Sequence, residues 1–238
     1  MSKNKIAIVT GAGRGIGRVL TLRLAELGYD LVLAARSLPE LQSLRQECLD
    51  MGQDAIVVQT DISDECSVQN LFAKSMEYYG RIDLLLNNAG LGIFNTVLAT
   101  DLADWQQVIQ VNLTGSFLCA KAAFQVMREQ NTGTIVNISS SAGLKGYAGQ
   151  AAYTASKHGL LGLSKVLAEE GREYNIKVHV ICPGGVATEM VKKSRPDLND
   201  AELIQPEDVA DLMAYLLAMP PRVSVDLVHL RRFNSSSF

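Results

Sequence analysis

Seven short apolar runs, rich in β-branched residues, alternate along the chain with amphipathic stretches of helical length. The runs fall at 6–9, 31–35, 55–59, 82–86, 134–138, 177–181 and 223–228. The helical stretches fall at 15–28, 38–51, 64–80, 101–130, 153–173 and 206–218. Strands that are apolar on both faces are covered on both faces, which predicts a parallel sheet between two helical layers. Strict alternation with right-handed crossovers makes that sheet doubly wound, with about seven strands. Pro206-Glu207 suits the start of the last helix, because proline fits the first turn and a carboxylate favours the dipole's positive end. The one irregular stretch is 192–205, where Lys192, Lys193, Arg195 and Pro196 interrupt the apolar pattern. It reads either as a surface loop or, near 187–205, as a substrate loop beyond a strand end.

Length and composition narrow the class. With 238 residues, 47% of them hydrophobic, the chain suits one α/β domain, 1–238. A net charge of -3 argues against a nucleic-acid partner, which needs a basic face. No apolar run reaches the roughly 20 residues of a membrane span, and MSKNK runs straight into IAIVT without an export signal. The reading is cytoplasmic. Cys48, Cys66, Cys119 and Cys182 have no C-x-x-C spacing and no grouping with histidine, so they read as small buried hydrophobes and no metal is expected.

The first strand runs directly into Gly11-Ala-Gly-Arg-Gly-Ile-Gly17 and then a helix. Glycines permit the tight turn and the close approach of a pyrophosphate, while the helix N-terminus offers free N–H groups. The second strand ends in Ala35-Arg36-Ser37, about 19 residues beyond Gly17. The carboxylate that would hold the ribose 2′-hydroxyl of NAD is missing there, and Arg14 and Arg36 can face a 2′-phosphate. NADP(H) is therefore expected ahead of NAD(H).

Tyr153-Thr-Ala-Ser-Lys157 opens the helix at 153–173, and positions i and i+4 share one face. A phenol near pKa 10 parts with its proton reluctantly, and a neighbouring ammonium would lower that pKa toward the working range. Ser139-Ser140-Ser141 ends the fifth strand, where a hydroxyl can meet developing charge on a carbonyl oxygen. Asn87-Asn88-Ala89-Gly90 ends the fourth strand and Pro183-Gly184-Gly185 the sixth. All of these turns fall on the sheet edge where such folds bind ligands.

Together these residues resemble the short-chain dehydrogenase/reductase family over nearly the whole chain. Thr10-Gly-Ala-Gly-Arg-Gly-Ile-Gly17 is similar to its T-G-x-x-x-G-x-G cofactor turn, and Asn87–Gly90 to its N-N-A-G. Val111-Asn112-Leu113-Thr114-Gly115 is similar to the segment bearing its catalytic asparagine, and Ser140, thirteen residues before Tyr153, falls at its catalytic serine. Pro183-Gly184 with Val186 and Thr188 resembles the segment beside the nicotinamide, and Asp61-Ile62 the adenine contact. The resemblance implies a Rossmann-like fold and a hydride transfer between nicotinamide and a carbonyl or alcohol carbon. Tyr153 would then donate the proton, Lys157 would lower its pKa and bind the ribose, Ser140 would polarise the carbonyl, and Asn112 would hold a proton-path water. Thr10, Gly11, Gly13, Arg14, Gly15, Ile16, Gly17, Arg36, Asp61, Ile62, Asn88, Ala89 and Gly90 would line the cofactor site with Tyr153, Lys157, Pro183, Gly184, Val186 and Thr188.

Leu91, Gly92, Ile93, Leu144, Tyr147, Gln150 and Met190 follow strand ends and are expected near the substrate pocket, with Ser140. Their apolar character favours an uncharged carbonyl compound, whereas Lys192, Lys193 and Arg195 would suit an anionic tail such as an acyl thioester. The resemblance also implies a homo-oligomer, dimer or tetramer. The apolar positions Leu102, Val108, Leu113, Phe117, Ala120, Leu160 and Leu167 are candidates for its interface or for the core. The tail, Val223–Phe238, departs from the family because it lacks the glycine-rich stretch that many relatives carry near the last strand, which argues against the family's common tetramer. Two other readings are weighed: a cofactor-retaining lyase or epimerase, and a non-catalytic NADP-binding regulator. The glycine spacing and the short chain after Ile181 disfavour the first. The second is disfavoured because tyrosine, lysine, serine and asparagine are all present.

Overall fold

The computed structural model describes residues 4–194 and 199–235. Seven parallel strands form one sheet: β1 (Ile6–Thr10), β2 (Asp30–Ala35), β3 (Ala55–Gln59), β4 (Leu84–Asn87), β5 (Gly133–Ile138), β6 (Ile176–Pro183) and β7 (Leu227–Leu230). Their spatial order is β3-β2-β1-β4-β5-β6-β7. The order reverses between β1 and β4, which opens a crevice at the carboxyl ends of those strands. The helices are α1 (Gly15–Glu26), α2 (Leu38–Asp50), α3 (Glu65–Tyr79), α4 (Leu102–Ile109), α5 (Ser116–Gln130), α6 (Ala151–Gly171), α7 (Glu189–Ser194) and α8 (Pro206–Leu217).

Because β1 is buried at every position, alternation sends its side chains into two separate cores. Ala7 and Val9 meet Leu20, Leu24, Leu41 and Met213 from α1, α2 and α8. Ile6 and Ile8 meet Leu71, Phe72, Cys119 and Met127 from α3 and α5. Each fully buried Leu or Ile contributes about 1.5–3 kcal/mol, so both faces hold the strand in place. Local signals set the helix ends. The Asp64 carboxylate accepts from the Cys66 N–H at 3.1 Å and Asp101 from the Asp104 N–H at 2.7 Å. Gly80 ends α3 at φ 72°, a left-handed conformation that favours glycine.

Four expectations are corrected. The helical stretch 101–130 is divided by a π-turn, Gln110–Gly115, between α4 and α5. The last strand is Leu227–Leu230, not 223–228. Before it, the chain is held to β6 by side chains instead: Lys177 Nζ donates to the carbonyls of Pro220 and Val223, and His179 Nδ1 lies 2.8 Å from that of Val225. The stretch 187–205 is partly helical, because α7 carries Met190, Lys192 and Lys193. Arg195 and Pro196 lie outside the described residues. Finally, Cys66 is exposed in the first turn of α3, unlike the buried Cys48, Cys119 and Cys182.

Candidate active site

The glycine turn folds where the sequence placed it, and the reason for each glycine is visible. Gly11 and Gly15 have φ of 64° and 55°. A Cβ on Gly17 would overlap the Gly11 carbonyl, and one on Gly11 would approach Ala89 Cα to 2.8 Å. Thr10, buried at the end of β1, fastens the turn to the N-N-A-G segment, since its hydroxyl accepts from the N–H groups of Asn88 and Ala89 at 3.1 and 3.2 Å. Asn88 Nδ2 returns bonds to the carbonyls of Thr10 and Gly11. Thr188 lies opposite, its Cγ2 3.6 Å from where a Gly15 Cβ would sit. This close-walled cradle, which side chains at Gly11 or Gly17 would fill, fits a dinucleotide phosphate group.

Farther along the edge, Ile62 is buried and the Asp61 carboxyl is held below its usual pKa. The main cause is the hydrogen bond from Ser63 Oγ, helped by the Ser63 N–H and the charge of Arg36. Arg14 and Arg36 are both exposed, at the start of α1 and the end of β2. One residue escaped the sequence reading: Glu40, in the first turn of α2, lays its side chain over Gly13, so a Cβ there would meet Oε2 at 2.7 Å.

The four expected catalytic residues converge at the ends of β4 and β5. Ser140 Oγ accepts from the Ala142 N–H at 3.1 Å, which fixes the serine rotamer, and its hydroxyl is near enough to the Tyr153 phenol to lower its pKa. Lys157 is 4% exposed, donates from Nζ to the Ile138 carbonyl at 2.9 Å, and places that nitrogen 5.7 Å from the Tyr153 ring centre. Burial lowers the ammonium from 10.5 to about 8, against a smaller opposing pull from Cys182. Burial also raises the Tyr153 phenol above its ordinary value, and the Ser140 hydroxyl lowers it only in part.

Asn112 lies within the π-turn and is fully buried. Its side chain is committed to structure, accepting from the Leu91 N–H at 2.7 Å and donating to the Leu91 carbonyl at 2.8 Å and to Ser156 Oγ at 3.1 Å. The Asn112 carbonyl accepts from Ser116 Oγ at 3.0 Å. Ser156, also absent from the sequence reading, donates to the Tyr153 carbonyl at 2.7 Å and so ties the π-turn to the first turn of α6. Gly90 lies between these groups, since a Cβ there would sit 3.5 Å from Asn112 Oδ1 and 3.7 Å from Lys157 Nζ.

Two loops flank the tyrosine. Phe94 meets its ring edge-on, with centroids 5.6 Å apart, and the main chains of Asn95 and Gln150 pair across the site. Leu91, Ile93, Leu144 and Met190 are half-buried in these surroundings, Ile16 in the glycine turn. Gln150 serves as the N-cap position of α6, with its carbonyl accepting from the Thr154 N–H at 2.8 Å. Tyr147 is more exposed, and its hydroxyl donates to Ser141 Oγ at 3.0 Å. Val186 is buried and pairs with Ile204, which anchors the Pro183–Thr188 segment.

The family model for short chain dehydrogenase matches residues 5–199. The chain is 38% identical over 222 residues to the 3-oxoacyl-[acyl-carrier-protein] reductase of Synechocystis, covering 91% of this chain and 90% of that protein. It is 36% identical to the levodione reductase of Leifsonia aquatica over 199 residues, or 82% of this chain and 74% of that one. Among solved structures, an alcohol dehydrogenase from Thermococcus sibiricus complexed with 5-hydroxy-NADP superposes with a TM-score of 0.92 at 26% identity, covering 99% and 100% of the two chains. The actinorhodin polyketide ketoreductase with NADPH gives 0.89 at 31% identity over 96% of each chain.

Proposed function

The chain belongs to the short-chain dehydrogenase/reductase family and is an oxidoreductase, and from that premise we propose that it is an NADPH-dependent reductase of carbonyl compounds with Tyr153 as proton donor. The observation that carries this reading is that Lys157 is buried with its Nζ 5.7 Å from the Tyr153 ring centre, while the Ser140 hydroxyl lies near enough to the phenol to lower its pKa. A carbonyl oxygen placed between the two hydroxyls would accept from both. Ser140 would then oppose the negative charge that develops on oxygen, while Tyr153 delivers the proton. The bound nicotinamide supplies the hydride.

Lys157 would hold the ribose hydroxyls and, as the charged form, stabilise the phenolate left by proton transfer. Asn112 would hold the water that passes a proton inward toward Lys157. Arg14 and Arg36 support NADP(H) over NAD(H), because both residues are exposed, Arg14 at the start of α1 and Arg36 at the end of β2, where Ala35 stands in place of an acid. The two similar structures hold 5-hydroxy-NADP and NADPH. The half-buried apolar walls suit ketones, aldehydes or 3-oxoacyl groups, and we read residues 1–238 as one catalytic domain whose segment near 187–205 lines the substrate. Exposed Leu102 on α4, Phe117 on α5 and Val166 on α6 suit a homo-oligomeric contact, whereas Val108, Ala120, Leu160 and Leu167 are spent in the core.

The test is NADPH consumption with a panel of ketones, aldehydes, quinones and 3-oxoacyl thioesters, for wild type and Tyr153→Phe. The expected result is turnover that the variant loses by orders of magnitude while still binding NADPH. Equal turnover by both proteins would overturn the role of Tyr153. Sedimentation of a monomer at micromolar concentration would overturn the oligomer.

A further inference from the structure

The stretch between β4 and α4 holds an aromatic ring that the proposed chemistry does not use. Phe94 is half-buried and meets Tyr153 at an interplanar angle of 68°, with ring centroids 5.6 Å apart. In a T-shaped pair the positive edge of one ring faces the negative face of the other, so Tyr153 covers at most one face of Phe94. The far end of the Phe94 ring rests on Gly92: a Cβ there would overlap Phe94 Cζ and lie 2.8 Å from Cε2. Glycine at 92 thus leaves the space in which the ring stands beside the phenol.

Both ends of this stretch are fastened. The Leu91 N–H donates to the Asn112 side chain at 2.7 Å, and the Leu91 carbonyl accepts from it at 2.8 Å. Farther on, the main chains of Asn95 and Gln150 pair, which joins the stretch to the N-cap position of α6, just before Tyr153. The Asn95 side chain also donates to Asp104 Oδ2 at 3.3 Å, and the Asn95 carbonyl accepts from Thr100 Oγ1 at 3.4 Å. Phe94 lies between these anchors, so its ring is a fixed wall and not a flap. A wall that is rigid before substrate arrives keeps more of its contact energy for selection, because less has to be ordered on binding.

We propose that Phe94 determines substrate specificity, its ring forming the wall beside Tyr153 against which a flat, conjugated group on the carbonyl carbon packs. This rests on the reductase reading above and deepens it: the substrate is an aryl or ring-conjugated carbonyl compound. The substrate oxygen is held at the hydroxyl of the same tyrosine ring that Phe94 touches, so a ring-sized substituent on the carbonyl carbon spans the distance to Phe94. A planar substituent meets an aromatic face in an offset or edge-on arrangement. A puckered or branched one of the same size makes fewer contacts with it.

The experiment measures kcat/KM for acetophenone and for cyclohexyl methyl ketone, which differ in carrying a flat or a puckered six-membered ring. The intrinsic reactivity of the two ketones is common to every variant, so a change in their ratio reports a difference in transition-state contact. The ratio of acetophenone to cyclohexyl methyl ketone is expected to fall about fivefold in Phe94→Leu, which keeps apolar bulk but loses the π-face, and to return in Phe94→Tyr. A ratio unchanged in Phe94→Leu overturns the proposal. Should that variant fail to fold, Gly92→Ala takes its place, a change the backbone accepts because φ there is not positive. Its methyl displaces the ring, so the same fall is expected, and an unchanged ratio again overturns the proposal. Turnover of aliphatic carbonyl compounds but of neither ketone overturns the aryl class. If nothing is reduced, the reductase reading fails by itself, and calorimetry of the two ketones on the NADP⁺-loaded protein decides the inference. Acetophenone binding that weakens about fivefold relative to the other ketone in Phe94→Leu upholds it, and absent or unchanged binding overturns it.

Discussion

Replacing Ser156 by alanine tests whether the tie between the π-turn and α6 controls catalysis. Ser156 is fully buried and uses its hydroxyl twice, as donor to the Tyr153 carbonyl and as acceptor from Asn112 Nδ2. Alanine removes the first bond, costing about 1 kcal/mol, and strands one buried Asn112 N–H, costing about 1–3 kcal/mol more. The sum, about 2–4 kcal/mol, corresponds to a fall in Tm of roughly 4–16 °C for a domain of this size. The functional effect should exceed the loss of stability. Asn112 keeps its two bonds to Leu91 but loses its anchor on the tyrosine's own helical turn. We expect kcat to fall about tenfold while KM stays near wild type, because a change in orientation is felt in the transition state more than in ground-state binding. Calorimetry and steady-state NADPH oxidation below the new Tm provide both numbers. A variant that melts with wild type and turns over at the wild-type rate would refute the reasoning.

Other expectations follow from the same geometry. Lys157, lowered from 10.5 to about 8, is a group that the unfolded chain protonates more readily than the folded one. Wild type should therefore gain unfolding free energy relative to Lys157→Met as pH rises from about 8 to 10.5, by up to the order of 3 kcal/mol, in denaturant titrations at several pH values. Neutralising the carboxylate over Gly13 in Glu40→Gln should tighten NADPH more than NADH, and Arg36→Ala should do the reverse; fluorescence titration with both cofactors reads the ratio. Cys66 is the one exposed thiol, so a thiol reagent should label one cysteine in the native protein and four after unfolding.

Periodicity and turn chemistry carried most of the fold, because a buried parallel strand and an amphipathic helix each leave a local signature. What they could not show was hydrogen-bond register inside a helix. The π-turn at Gln110–Gly115 keeps helical composition, so 101–130 reads as one uninterrupted helix. The candidate catalytic residues were legible from their spacing and resemblance, and Tyr153, Ser140, Lys157 and Asn112 lie in one region of the fold. The sign of the tyrosine's pKa was not legible, since it depends on how much water the assembled pocket excludes. Glu40 and Ser156 escaped for a related reason. Each acts on a partner that is remote in sequence, and no short window contains both.

The position of β1 has a consequence for how the chain is made. Ala7 pairs with Leu31 on one side and Leu84 on the other, so half of the central strand's ladder stays open until β4 has been synthesised. A nascent chain that has emerged only through β3 presents an apolar, unpaired edge together with an uncovered face. Productive synthesis thus depends on β4 reaching that edge before another copy does. Mutations that slow its arrival, such as a proline within Leu84–Asn87, would lower the yield of native protein by aggregation on the ribosome.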